Sequence, residues 1–294
     1  MMSSSIPWTK IFFQSACPCG SGEIAYKCCW RGGGRWEKTP VGTIAVSKTS
    51  TKNAGCYLSP LGNCGTKITR EHFISRNILE RMTQSKLKFE NAGHFFGGKQ
   101  SVEISIDAFS AKVLCDNHNS ALSALDTSAG LALTTIDALG MDIERVATGE
   151  PFRSFYISSG IDLERWMIKV YCGLVAAGKI RGQSGDVVGL ESLSRNLLDS
   201  LIGTASLPQP LGLYMHTFVG QQRRSRGLSF GTIKLTDGSD GVGGLILSLG
   251  PINVVLVTSP LYGEAFSDPN WYRHQPLAWN VRQYGSRIAY LFTY

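Results

Sequence analysis

Cysteine spacing constrains this chain more than any other feature. Four of the eight cysteines, Cys17, Cys19, Cys28 and Cys29, fall within the stretch CPCGSGEIAYKCC. That C-x-C-x8-C-C spacing, with Pro18, Gly20, Ser21 and Gly22 supplying a tight turn, suits one tetrahedral zinc held by thiolates at ~2.3 Å. So short a segment cannot build a core, and bound metal would supply most of its folding free energy. The competing reading, disulfides, needs an oxidising compartment. The N-terminal MMSSSIPWTKIFF lacks the basic flank and long apolar run of a secretory signal. No stretch reaches the apolar length of a membrane span. A cytoplasmic chain without a membrane segment is therefore expected, with its thiols reduced and available to metal.

A second ligand set lies further on. Residues 32–54, rich in Gly, Ser, Thr and Lys, read as a linker apart from the brief GTIAV. Cys56 and Cys64 follow, then TREHFIS with Glu71 and His72, and then KVLCDNHNSALSALD with Cys115, His118 and Asn119. In SVEISIDAF, Val102, Ile104 and Ile106 alternate with Glu103, Ser105 and Asp107, the pattern of a half-buried strand. Leu122, Leu125, Ala129, Ala132 and Ile136 recur at helical spacing. Cys115-x2-His118 has the spacing of half a zinc site. Cys56 and Cys64 could supply the other half, which would pin a strand pair to the start of a helix.

Both ligand sets resemble known families. CPCGSGEIAYKCC resembles the SEC-C zinc motif over residues 14–31, which implies four structural cysteine ligands and an adaptor that contacts protein or ribosome. REHFIS and LCDNHN resemble the acid-His strand motif and the helix-entry motif of HNH endonucleases, over about residues 55–140. That resemblance implies a ββα-metal fold. It implies His72 as general base, with Glu71 and Asn119 holding a catalytic Mg2+ or Mn2+, and DNA rather than RNA as substrate, in a role such as phage defence. Two positions depart from the family. Seven residues separate Cys56 from Cys64 where two are usual, and Ser75 stands in place of a proline. The family's middle asparagine corresponds to Asn77 or Asn91.

The residues also admit plainer roles. His72 between apolar neighbours suits a core histidine, and Asn119 at a helix entry suits an N-cap. Asp126 reads as a carboxylate on the helix surface.

Ser159 and Gly178 bracket a helix whose Leu163, Trp166, Met167, Val170, Tyr171 and Leu174 share a face. Its Arg165 and Lys169 then read as solvent-facing, and Cys172 as a small buried hydrophobe. From about residue 205, short apolar runs broken by Gly, Pro and Asp read as an antiparallel sheet. Arg223, Arg224 and Arg226 fall in a loop of that region, as a weak nucleic-acid patch or simply solvated charge. The cluster Trp271, Tyr272, Arg273 and His274 suits either base stacking or core filling. A formal charge of +7 favours phosphate-rich partners.

The expected architecture is α+β. It comprises a zinc module (14–31), a linker (32–54), a ββα-metal core (55–140), a helical segment (141–204) and a β-rich C-terminal domain (205–294). The expected function is metal-dependent phosphodiester hydrolysis. The alternative is a non-catalytic zinc adaptor that contacts nucleic acid, ribosome or protein.

Overall fold

The computed structural model describes residues 17, 22–28, 41–82, 86–90, 101–147, 153–216, 228–235, 241–249, 252–259, 271–273, 278–283 and 286–293. It is a mixed helix and strand structure. Strand β1 (Ile68–His72) leads into helix α1 (Arg76–Met82) and the hairpin β2 (Lys86–Glu90) and β3 (Ser101–Ser105). Then come β4 (Ser110–Cys115) and the long helix α2 (Asp116–Ala147). β1 pairs antiparallel with β4, and β2 with β3. The strand expected at SVEISIDAF thus forms as β3, with Glu103, Ser105 and Asp107 exposed and Val102, Ile104 and Ile106 half-buried. The partner that carries Glu71 and His72 along the helix entry is β4, whose SAKVLC run the alternation did not single out.

α2 buries the five apolar positions expected of it, Leu122, Leu125, Ala129, Ala132 and Ile136. Against it packs α3 (Gly160–Ala176). Ser159 caps α3 by accepting the Asp162 N–H at 3.2 Å, and Gly178 follows its end with φ +63°, the left-handed conformation that glycine adopts without a Cβ penalty. Here the structure departs from the expectation of an amphipathic helix. Every residue of α3 from Asp162 to Val175 is buried, including Glu164, Arg165 and Lys169. A helix enclosed on all sides belongs at the centre of a core, and α3 is packed between α2, β6, β8, β9 and β12.

Strand β5 (Arg153–Ser159) precedes α3, and α4 (Arg195–Ile202) follows it. The strands after it are β6 (Gly212–His216), β7 (Leu228–Lys234), β8 (Val242–Leu249), β9 (Ile252–Val257), β10 (Trp271–Arg273), β11 (Ala278–Gln283) and β12 (Ser286–Thr293). The expected antiparallel sheet is present as five strands in the order β10-β6-β9-β8-β7. A second sheet, β11-β12-β5, contains the parallel pair β12 and β5. The C-terminal strands thereby clamp a strand from the segment expected to be helical.

Two expected boundaries are not features of the fold. Residue 140 lies inside α2, and one apolar cluster runs continuously from Val41 to Leu256. Within the stretch read as linker, Val41 and Ile44 are buried. Arg165 donates through Nη1 to the carbonyls of Val41 (2.7 Å) and Gly42 (3.1 Å), and through Nε to that of Leu201 (3.0 Å). The Ile44 N–H donates to the Ile202 carbonyl at 2.8 Å. The composition suggested flexibility, but two apolar side chains and a buried guanidinium fix the segment.

Leu125→Ala, in the fully enclosed part of α2, is expected to destabilise the protein by about 2–5 kcal/mol. Leu131→Ala on the exposed side of the same helix is expected to change stability by about 0.5 kcal/mol or less. Denaturant midpoints of the two variants check the placement of the helix.

Candidate metal and catalytic centre

Four buried side chains converge where β4 meets α2. The sulfurs of Cys56, Cys64 and Cys115 lie 3.4, 3.8 and 3.1 Å from Nδ1 of His118. All four ligand atoms lie within 4.8 Å of one another. A tetrahedral zinc with its usual bond lengths separates a sulfur from a nitrogen by about 3.6 Å, and the three observed distances bracket that value.

Each ligand is placed by local chain chemistry. A 3-10 turn at Ser59–Leu61 and the positive φ of Gly62 and Asn63 reverse the chain between Cys56 and Cys64. This accounts for the seven-residue gap that departs from the family spacing. The Gly65 N–H donates to Cys115 Sγ at 3.2 Å. A Cβ on Gly65 would lie 1.7 Å from Asp116 Oδ1, so a larger residue here would displace the Asp116 side chain at the helix entry.

Burial pushes the Cys56 thiol up to about 12 and holds the His118 imidazole below its ordinary value. A neutral imidazole is already a competent ligand, and a metal ion would displace the thiol protons. The donor set therefore fits zinc.

The same strand pair carries the acid-His motif. Between Thr69 and Arg70 the register with β4 shifts: Thr69 faces Leu114, and Arg70 faces Lys112. Val113 is the extra residue of a β-bulge, and its carbonyl accepts the Tyr57 N–H at 3.0 Å, which docks the Cys56 segment against β4. Beyond the bulge the ladder is regular. Glu71 and Ala111 lie on the inner face, and Arg70, Lys112, His72 and Ser110 on the outer one.

On the inner face Glu71 is buried and forms an ion pair with Lys169 Nζ. The Lys169 ammonium also donates to both carboxylate oxygens of Asp126 at 2.6 Å. Its side chain is 2% exposed and that of Arg165 4%, which overturns the solvent-facing reading of both. Burial alone would lower the Lys169 pKa, but Glu71 and Asp126 raise it. Burial pushes Glu71 up to about 7 in spite of Lys169.

The departure at Ser75 has a physical reason. Its hydroxyl accepts the Trp166 Nε1–H at 2.7 Å and donates to Asp126 Oδ1 at 2.5 Å, and a proline could do neither.

His72, with its side chain 21% exposed, lies 3.8 Å through Nε2 from Asp107 Oδ1. Burial first and Arg76 second hold its pKa below the ordinary 6.5, so the ring is neutral at physiological pH. Asn119 donates through Nδ2 to Thr69 Oγ1 (3.0 Å) and to the Arg70 carbonyl (3.1 Å). Its amide thus sits one peptide from Glu71, with the carbonyl oxygen left to accept. Asn119 is the fourth residue of α2, so the capping role falls outside its position.

The structure therefore gathers Cys56, Cys64, Cys115 and His118, and places Glu71, His72 and Asn119 along one short strand pair. Sequence reasoning missed Lys169, and it assigned Asp126 to the helix surface. The available signal was the heptad spacing of Asn119 and Asp126, which puts both on one face of α2. Asn77 donates to the Asp126 carbonyl at 3.2 Å, and Asn91 lies outside the described residues. Of the first cysteine set, Cys17 is buried and Cys28 half-buried beside the short turn Ala25–Lys27. Cys19, Cys29, Arg223, Arg224, Arg226 and His274 lie outside the described residues. Comparison with known protein families, curated proteins and solved structures finds no match to this chain.

Cys115→Ser is expected to bind one zinc fewer per chain than the wild type by elemental analysis, and a chelator is expected to lower the wild-type Tm. Lys169→Met leaves the buried Glu71 facing Asp126, whose side chain is 27% exposed, without the cation between them. It is expected to cost about 3–5 kcal/mol by denaturant unfolding, and a loss below about 1 kcal/mol would contradict the buried ion network.

Proposed function

We propose that this chain is a metal-dependent HNH-type nuclease that hydrolyses phosphodiester bonds in nucleic acid, with His72 as the general base. One observation carries the reading. The Cys3His cluster fastens an antiparallel strand pair to the first turn of a helix, and that same pair brings the Glu71-His72 dipeptide beside Asn119.

Each step falls to a named group. His72, neutral because burial depresses its pKa, accepts a proton from water through its imidazole. The resulting hydroxide attacks phosphorus, and the P–O bond to the leaving oxygen breaks as that oxygen takes a proton from solvent. The Asn119 carbonyl oxygen and the second oxygen of Glu71 are hard donors suited to Mg2+ or Mn2+. Such an ion would offset the charge that develops on the phosphate. Lys169 fixes the Glu71 carboxylate in place, as outer partners of metal ligands do.

A second reading, a non-catalytic zinc scaffold, is favoured by Lys169 itself, since its ammonium already neutralises Glu71. Cleavage assays on plasmid and single-stranded substrates with Mg2+ or Mn2+ separate the two. His72→Ala is expected to lower the rate by at least about a hundredfold, and Asn119→Ala to weaken the dependence on metal concentration. The rate should be full at neutral pH and fall on acidification below 6.5, as His72 protonates. Cleavage by His72→Ala at the wild-type rate would remove the histidine from the mechanism, and no cleavage of any substrate would leave the scaffold reading.

A further inference from the structure

The outer face of the β1–β4 pair carries an arrangement that the folded chain does not itself explain. Arg70 and Lys112 are direct cross-strand partners, and both are exposed. Like charges placed opposite each other on adjacent strands are destabilising, whereas an acid opposite either base would contribute about 0.2–1 kcal/mol. Among the described residues, no carboxylate forms an ion pair with Arg70 or Lys112. A lysine set there to block edge-to-edge pairing would do so equally well opposite a glutamate.

The strip points at the proposed reaction centre. Arg70 and His72 occupy the same face two positions apart on β1, a rise of about 6.6 Å. Arg70 Nη1 donates to Ser110 Oγ at 3.3 Å, and Ser110 is the register partner of His72. The guanidinium is therefore drawn along the strand toward the histidine. Beyond His72 the sign changes: Asp107 is exposed, paired to Arg76 at 3.0 Å and near His72 Nε2. A polyanion would thus meet positive charge up to the histidine and a carboxylate past it.

We propose that Arg70 and Lys112 form a phosphate-binding strip that seats the nucleic-acid backbone and leads it to His72. This deepens the nuclease reading and rests on it for the identity of the ligand. Arg70 supplies a planar fork suited to phosphate oxygens, and Lys112 a point charge beside it. The bound phosphates also supply an anion that no carboxylate among the described residues gives to the cross-strand pair.

The test is fluorescence anisotropy of a short labelled DNA duplex at several salt concentrations, without divalent ion. It uses full-length wild type, Arg70→Gln, Lys112→Gln, the double variant, and Lys179→Gln as a control for net charge at another exposed site. Each strip variant is expected to weaken binding and to flatten the slope of log K against log salt by about 0.9, with the double variant flattened by about 1.8. Lys179→Gln should leave the slope unchanged. Far-UV circular dichroism and zinc content confirm that each variant is folded.

Equal affinity and slope in wild type and double variant would overturn the strip, even if the wild type cleaves DNA. Absence of any DNA binding would overturn it as well. Strip-dependent binding by a chain that cleaves nothing would uphold the strip and remove the nuclease reading.

Discussion

The arrangement around His72 depends on one buried ammonium. Lys169, in the middle of the enclosed helix α3, reaches Glu71 on β1 and Asp126 on α2, so three elements meet at a single charge. Without it the carboxylates of buried Glu71 and half-buried Asp126 would repel each other, and a lone ammonium there would be strongly disfavoured. Together they form a network that is satisfied only when β1, α2 and α3 are all in register. Ser75 and Trp166 complete it with neutral hydrogen bonds to Asp126 and to each other. A network of this kind fixes geometry more than it adds net stability. Fixed geometry is what a histidine at the end of a short strand lacks on its own.

Much of the centre was legible in the sequence because metal ligands and helix entries leave local marks. Cys115-x2-His118 and the caps of α3 can be read in a few letters. The closure of the Cys56 and Cys64 half could not be read from spacing, since the turn at Gly62 and Asn63 makes up for the unusual gap. Lys169 was illegible for a different reason. On a helical wheel it lies off the apolar face, and that polar face is interior because β1 and α2 bring Glu71 and Asp126 against it from 98 and 43 residues away. The extent of α3's burial is a property of the strands between residues 212 and 293, far along the chain. The β5–β12 parallel pair was hidden likewise, because its two strands lie at opposite ends of the C-terminal half.

The Cys3His cluster and the ion network divide the labour of holding the strand pair. The cluster secures one end of β1–β4 by tying Cys56, which lies 62 residues from His118 in sequence, to the helix entry. The ion network secures the other end through Glu71. Between them, Arg165 fixes residues 41 and 42 against α4 and so sets the path by which the chain approaches Cys56. A Gly- and Ser-rich composition predicts mobility only where no apolar side chain finds a partner. Val41 and Ile44 each found one.

The bulge at Val113 reconciles two incompatible phases. On one side of it, β4 must present Lys112 outward opposite Arg70. On the other, it must turn Leu114 into the core and deliver Cys115 to His118. Val113, Leu114 and Cys115 are buried in succession, and the bulge resets the alternation between them and the exposed Lys112. The extra residue acts as a phase shifter between the outward chemistry of the strand and its inward ligand. Its loss would be unlike an ordinary deletion in a loop. Any register that kept Cys115 on the metal would turn Lys112 toward the core, and any register that kept Lys112 in water would draw the cysteine away. Residues 73–109 join the two strands through α1 and the β2–β3 pair, but the length of this six-residue strand is fixed from both ends at once.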